Sequence, residues 1–256
     1  MQTERRYVSL FRMSSTRLSC FIVVAIASCA VLNAVADDLP QIRPAMIGSG
    51  PGSLVNLIDT QALFQKGQGD GWVMFDCSVA ADGDASASDF FTGSPNSNLL
   101  REEVRKRVRQ TRFIPAVYDH KRTWSWFAGT VLFVVKDGRP HLRIYANQDL
   151  EVIKSGTDFV APQMIDVPTH YYMNFPKTPT AAVRDDAAGV VKVRHSVDAN
   201  GKSTNVEVVS EPAGSQTGDF LKKALPRLDF TPGYRNGRPT ATTYTFTWWF
   251  GRVVGR

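Results

Sequence analysis

A chain of 256 residues with 43% hydrophobic and 21% charged side chains can bury a sizeable core, and its composition excludes a disordered protein. The formal net charge is +6, but residues 1–36 hold four arginines against one glutamate and account for half of it, so the body is only mildly basic and nucleic acid is not an expected partner. Cys20 and Cys29 lie in that leader and only Cys77 follows it, which excludes a disulfide scaffold and a multi-cysteine zinc site.

Residues 18–36, LSCFIVVAIASCAVLNAVA, follow a basic stretch and precede Asp37-Asp38. A basic n-region, an apolar h-region and the small residues Ala34-Val35-Ala36 make residues 1–36 a signal peptide cleaved after Ala36. Met13 as the start would give a leader of ordinary length. Two alternatives stay open. The stretch is long enough to span a bilayer uncut, as an anchor in the inner membrane facing the periplasm. Ile26-Ala27-Ser28-Cys29 also fits a lipid-attachment pattern, although the chain stays apolar to Ala36 where a polar tether is expected. The small residues at the cleavage position favour export to the periplasm. Cys77 is then a lone thiol, either a small buried hydrophobe or a site for pairing between chains.

Residues 37–70 begin with a flexible connection around Gly48, Gly50, Pro51 and Gly52. Ser53 as a cap and Leu54, Leu57, Ile58 and Gln61 at helical spacing predict a short helix after it. The body is then organised by a repeat. GWVMFDCSVAADGDASASDFF at 71–91 is similar to GVVKVRHSVDANGKSTNVEVV at 189–209, an offset of 118 residues. Arg112-Phe113-Ile114-Pro115 and Asp229-Phe230-Thr231-Pro232 follow in the two copies, and each copy runs on into an aromatic strand, at 123–135 and 242–250.

Each unit reads strand, tight turn, strand, helix, strand. Asp82-Gly83 and Asn200-Gly201 predict two-residue hairpins. Val73, Phe75, Cys77 and Val79 form the inward set of the first unit; Val191, Val193, His195 and Val197 form that of the second. Asn98 caps a helix over 99–112 with Leu100, Val104 and Val108 as its stripe. In the second unit Phe220, Leu221, Ala224, Leu225 and Leu228 form the stripe, Thr217 or Asp219 caps, and Pro226 makes the helix short or kinked. Residues 130–135 are apolar on both faces, which implies cover on both sides. On the closing strand Tyr244, Phe246, Trp248 and Phe250 lie on one face, and Thr243, Thr245 and Thr247 on the other. The fold class is therefore α+β, small antiparallel sheets with a helix on one face. The domains are a leader at 1–36, a first unit at 37–150, a linker at 151–170 and a second unit at 171–256.

Little in the chain advertises chemistry. His120, His141, His170 and His195 share no metal-ligand spacing with each other or with cysteine. There is no nucleophile elbow, phosphate loop or dinucleotide fingerprint. No catalytic residue, metal or cofactor is expected. One charge feature is distinct: Arg101, Arg105, Arg109 and Arg112, with Lys106 and Arg107, crowd one helix. They are a solvated helix balanced by Glu102 and Glu103, or a patch for an anionic envelope polymer or lipid.

The ordered series Phe175-Pro176, Ala181-Ala182, Gly189–Val193, Val197-Asp198-Ala199-Asn200-Gly201, Phe230-Thr231-Pro232, Asn236-Gly237-Arg238-Pro239 and the closing aromatic strand resembles the TonB C-terminal domain. The resemblance covers 171–250 well and 71–135 more faintly. It implies a periplasmic α+β module that binds an outer-membrane or periplasmic protein by pairing a strand edge with a short peptide. Here the long proline-rich spacer and the motor-coupling histidine of the family's energy transducers are missing. The expectation is thus a non-catalytic binding module; the alternative is an energy transducer for outer-membrane transport with an uncut anchor. The residues expected to meet the partner are Thr243, Thr245, Thr247 and Trp249, by β-augmentation. The same threonines also suit an ordinary strand with a solvated face. Oligomerisation is compatible with the two-faced strand at 130–135.

Overall fold

The computed structural model describes residues 39–156, 159–165, 189–213 and 217–250, without the side chains of 87–91, 189, 249 and 250. The leader, Phe175-Pro176 and Ala181-Ala182 lie outside the described residues. The described residues from Pro40 onward group as one compact unit, and the fold is mixed, with antiparallel sheets and few helices.

Two sheets organise it. The first holds β1 (Gly71–Val79), β2 (Ala85–Gly93), β3 (Ser125–Lys136) and β4 (Arg139–Tyr145), in the spatial order β2-β1-β3-β4. The second holds β5 (Gly189–Val197), β6 (Ser203–Ser210) and β7 (Thr242–Phe250), in the order β6-β5-β7. Alternation explains both. Val73, Phe75, Cys77 and Val79 are buried with Leu100, Val104 and Val108 of helix α1 (Asn98–Val108) and with Phe127, Val131 and Phe133 of β3. Val191, Val193 and Val197 are buried with Val206, Tyr244 and Leu221 of helix α2 (Thr217–Ala224). In each sheet the helix packs over the hairpin that precedes it.

The two halves share details that the sequence similarity anticipates. Gly83 N–H donates to Ala80 O and Gly201 N–H to Asp198 O, both at 2.9–3.0 Å. Ala80 N–H donates to Asp84 O, and Asp198 N–H to Lys202 O. Each hairpin loop therefore has three residues, and only its last, glycine, has positive φ, +90° and +83°. This corrects the expected two-residue turns. Asp82 inside the first loop accepts from Asp84 N–H, and Asp198 ahead of the second accepts from Asn200 N–H, so a side chain braces a different part of each loop while glycine supplies the positive φ in both. Two-residue loops with positive φ throughout occur instead at Asp137-Gly138, between β3 and β4, and at Asn236-Gly237.

Helix ends also differ from expectation. Ser97, not Asn98, is the N-cap of α1. Its hydroxyl donates to Ser94 O, and the free Leu100 N–H is taken by the buried Gln68 carbonyl at 2.9 Å. The helix stops at Val108, because Arg112 and Phe113 turn back to bridge Asp84 and Gly83. The expected helix after Ser53 is two short ones, Leu54–Leu57 and Thr60–Gln65; Asp59 caps the second by accepting from Ala62 N–H at 2.8 Å. α2 is short as expected, and Pro226 continues it only as a 3-10 turn, Leu225–Arg227.

Residues 150–165, part of the stretch expected as a linker, carry a one-turn helix, Leu150–Lys154, and a strand, Gln163–Met164, which pairs with Phe230–Thr231. Phe159, Ala161 and Met164 fill the second core, and Ile165 fills the first. Gln163 is 3% exposed and its amide clasps Ala45, accepting from N–H and donating to O, both at 2.8 Å. Gln163→Leu would leave that buried backbone pair without partners. We expect a loss of about 2–4 kcal/mol, read as a lower thermal midpoint, with Gln163→Glu keeping one of the two bonds.

Candidate strand-edge site

β7 is built to be half of something. Its register with β5 runs unbroken from Gly189↔Phe250 to Val197↔Thr242. On one face Tyr244 is buried and Phe246 and Trp248 pack against the second core. On the other face Thr243, Thr245 and Thr247 stand opposite Ser196, Arg194 and Lys192. Thr243 is exposed and Thr245 and Thr247 are half-buried. Thr243 Oγ1 lies 2.7 Å from Ser196 Oγ, and Arg194 pairs with Glu207 at 3.1 Å. Trp249 sits opposite Val190 in the ladder.

Among the described residues no strand pairs with the outer margin of β7. That margin is not uniform. At Tyr244–Phe246 it faces a narrow cleft of about 20 Å³, enough for one water, lined also by Ala128, Gln148, Ala161, Pro162 and Gln163. From Thr247 onward the described chain offers no such neighbour in that cleft. The four expected partner residues thus share one strand, which has no partner strand on one side among the described residues.

The arginine cluster is less coherent. Arg105 pairs with Glu102 at 3.1 Å and Arg107 with Glu103 at 2.7 Å. Arg101 is half-buried on α1, with its Nε shielded and without a hydrogen-bond partner among the described residues. Arg109 closes the helix, while Arg112 lies beyond it and pairs with Asp84 of the hairpin. Much of the charge that looked like one patch is matched inside the fold, and Arg112 leaves the helix face.

His195, Ser203 and Tyr244 were not legible in the sequence as a set. His195 Nε2 lies 2.7 Å from Ser203 Oγ and Nδ1 3.4 Å from Tyr244 OH, and the ring meets Phe230 edge-on at 4.8 Å. Burial lowers the His195 pKa to about 4, so the imidazole is neutral and exchanges hydrogen bonds with two hydroxyls. Ser203 is eight residues further along the hairpin, and only the pairing of β5 with β6 brings it back. Cys77, at the corresponding place in β1, belongs to the first core. Its thiol is pushed well up, first by burial and then by the neighbouring Asp76 carboxyl. Asp76 itself, opposite Ala128, is raised to about 7 by burial. Cys77 and His195 therefore serve separate cores, and no shared pocket joins them among the described residues.

No helix of the described residues is long and apolar enough to cross a membrane. No curated protein and no solved structure matches the chain. The matching family model covers only the second half, from ahead of β5 to the end of β7. Residues 175–251, the sheet with the open margin and its helix, match the model of the Gram-negative bacterial TonB protein C-terminal, a periplasm-facing domain type that engages outer-membrane proteins.

Proposed function

We propose that this is a non-catalytic envelope protein, exported to the periplasm, which binds an extended segment of another envelope protein along β7. The observation that carries the reading is the one-sided pairing of β7: its backbone has a partner strand in β5 and none on the other side among the described residues. A free ladder in a sheet with a packed apolar face gains main-chain hydrogen bonds from any extended chain that fits it. The family match over 175–251 supports a partner in the outer membrane or periplasm. In this reading the first half is a second, divergent copy of the same unit, supported by the corresponding hairpins and ion pairs, Arg112 with Asp84 and Lys202 with Asp229.

The test is photo-cross-linking in cells, with the cross-linking residue at Thr245 or Thr247 of β7 and, as a contrast, at Val209 on β6, which is 45% exposed. The expected result is a discrete adduct with an envelope protein from the β7 positions and not from Val209. Equal labelling from both margins, or none from β7, overturns the reading. Energy transduction with a retained anchor is the second reading, favoured by the family match alone. It requires an uncut leader, so a mature protein beginning at Asp37 in intact-mass measurement removes it.

A further inference from the structure

On the outer face of the first sheet, register brings an apolar row beside a basic one. Trp72 of β1 and Arg143 of β4 flank Leu132 of β3; His141 stands opposite Val134, and Arg139 opposite Lys136. The residues between them turn to the other face, where Val131 and Phe133 fill the first core and Val135, Leu142 and Ile144 pack against it. Trp72, Leu132 and Val134 are half-buried, yet among the described residues they belong to neither core. Lys136, Arg139, His141 and Arg143 are exposed.

The face is divided along its length. Toward the start of β3, Trp126 packs against the second core, Ala128 lines the cleft beside β7, and Thr130 and Tyr145 are buried. Beyond Thr130, the last three rows run about 14 Å to the Asp137-Gly138 turn. Basic residues on an edge strand guard it against pairing, and β4 is an edge. That role explains neither the apolar row inside them nor the unmatched charge. The arginines of α1 and Arg112 meet Glu102, Glu103 and Asp84, whereas Lys136, Arg139 and Arg143 form no ion pair among the described residues. Of the nearby acids, Asp70 accepts from Val135 N–H at 2.7 Å, and Asp137 in the turn offsets one of the three charges.

We infer that this end of the first sheet is a contact surface for an anionic phospholipid membrane. Trp72, Leu132 and Val134 enter the boundary between headgroups and acyl chains, and Lys136, Arg139 and Arg143 meet the lipid phosphates along its border. The inference goes beyond the reading of β7 and does not depend on it. The side chains decide the occupant. Indole settles at the membrane–water boundary, aliphatic side chains gain from hydrocarbon, and long basic side chains lay their stems on apolar surface with their charge at the phosphate level. A carbohydrate or nucleic acid would use the charges but gain little from Leu132 and Val134, which offer it neither hydrogen bonds nor a stacking plane.

The test is co-sedimentation of the chain from Asp37 onward, which holds the whole compact unit, with vesicles of phosphatidylcholine alone or of equal parts phosphatidylcholine and phosphatidylglycerol. Binding is expected only to the mixed vesicles. Arg139→Gln with Arg143→Gln, which changes exposed side chains alone, is expected to weaken it about 25-fold, because each basic residue at an anionic surface contributes about five-fold. Leu132→Thr with Val134→Thr keeps the charge and the strand preference; it is expected to weaken binding about tenfold and to leave a remainder that high salt abolishes. Lys222→Gln with Lys223→Gln removes the same charge from exposed positions on α2 and is expected to leave binding unchanged. The inference is overturned by no binding to the mixed vesicles, by equal binding to phosphatidylcholine alone, or by an equal loss from the α2 pair. Unchanged binding of the threonine pair also overturns it, since the contact would then be one of charge alone and suit any polyanion.

Discussion

Gly201→Ala is expected to cost about 3 kcal/mol and lower the thermal midpoint by about 10 °C, measured by calorimetry on the full chain. Gly201 sits at φ +83°, where a side chain is already disfavoured, and a Cβ built there would collide with the carbonyl oxygen of Phe230. That oxygen cannot retreat freely, because the Phe230 N–H donates to Gly201 O and Phe230 is buried beside His195. The same argument applies at Gly83, φ +90°, where a Cβ would meet the Phe113 carbonyl oxygen. Gly83→Ala should therefore have a similar cost. Gly237→Ala, φ +72° with nothing within 4 Å, carries the backbone penalty without the collision and should cost clearly less. Equal losses at Gly201 and Gly237 would mean that backbone conformation alone sets the effect.

Two buried ionisable groups are expected to give the protein opposing pH dependences. The His195 pKa falls from 6.5 to about 4 on folding. An unfolded chain takes up a proton near pH 6.5 and the folded one does not, so this contribution is complete above that pH and is lost as the pH falls toward 4. The total is about 3 kcal/mol. Asp76 moves the other way, from 3.8 to about 7. Its contribution is complete below pH 3.8 and is lost as the pH rises to 7, because the unfolded carboxyl ionises first. Between pH 4 and 6.5 the two slopes offset each other, and the intact protein should show a nearly flat stability profile. Asp76→Asn should expose the histidine limb, with stability rising toward neutral pH. His195→Gln should expose the aspartate limb, with stability falling over the same range. Chemical denaturation at a series of pH values reads both. Parallel profiles for the two variants would show that neither group is desolvated in the way its surroundings imply.

What was legible in the sequence was whatever depends on a short window. Alternation set the faces of β1, β5 and β7, and the two similar stretches each lie on an antiparallel hairpin. The open margin was readable only because β7 closes the series of strands. The misses are all places where a distant residue decides. Ser97 rather than Asn98 starts α1 because Gln68, thirty-odd positions upstream in the chain, occupies the free Leu100 N–H. The hairpins have three-residue loops because Ala80 with Asp84 and Asp198 with Lys202 close them, leaving glycine alone at positive φ. Ser203 and Tyr244 around His195, and Gln163 on Ala45, are long-range pairings without a local signature. β4 reads in the sequence as one more strand, and only the register shows that it pairs with β3 on the side where β7 has no partner strand among the described residues.

The position of Phe159, Ala161 and Met164 in the second core bears on how the protein can be dissected. The stretch that matches the TonB C-terminal model starts only at residue 175. A fragment cut at that boundary would keep every strand of the sheet and lose three of the side chains that fill its interior, along with the strand that pairs with Phe230–Thr231. The stretch that matches the family model is thus smaller than the unit that folds. Excision for isolated study should begin upstream of Phe159, or the recombinant piece will expose an apolar hollow and aggregate for reasons unrelated to its biology.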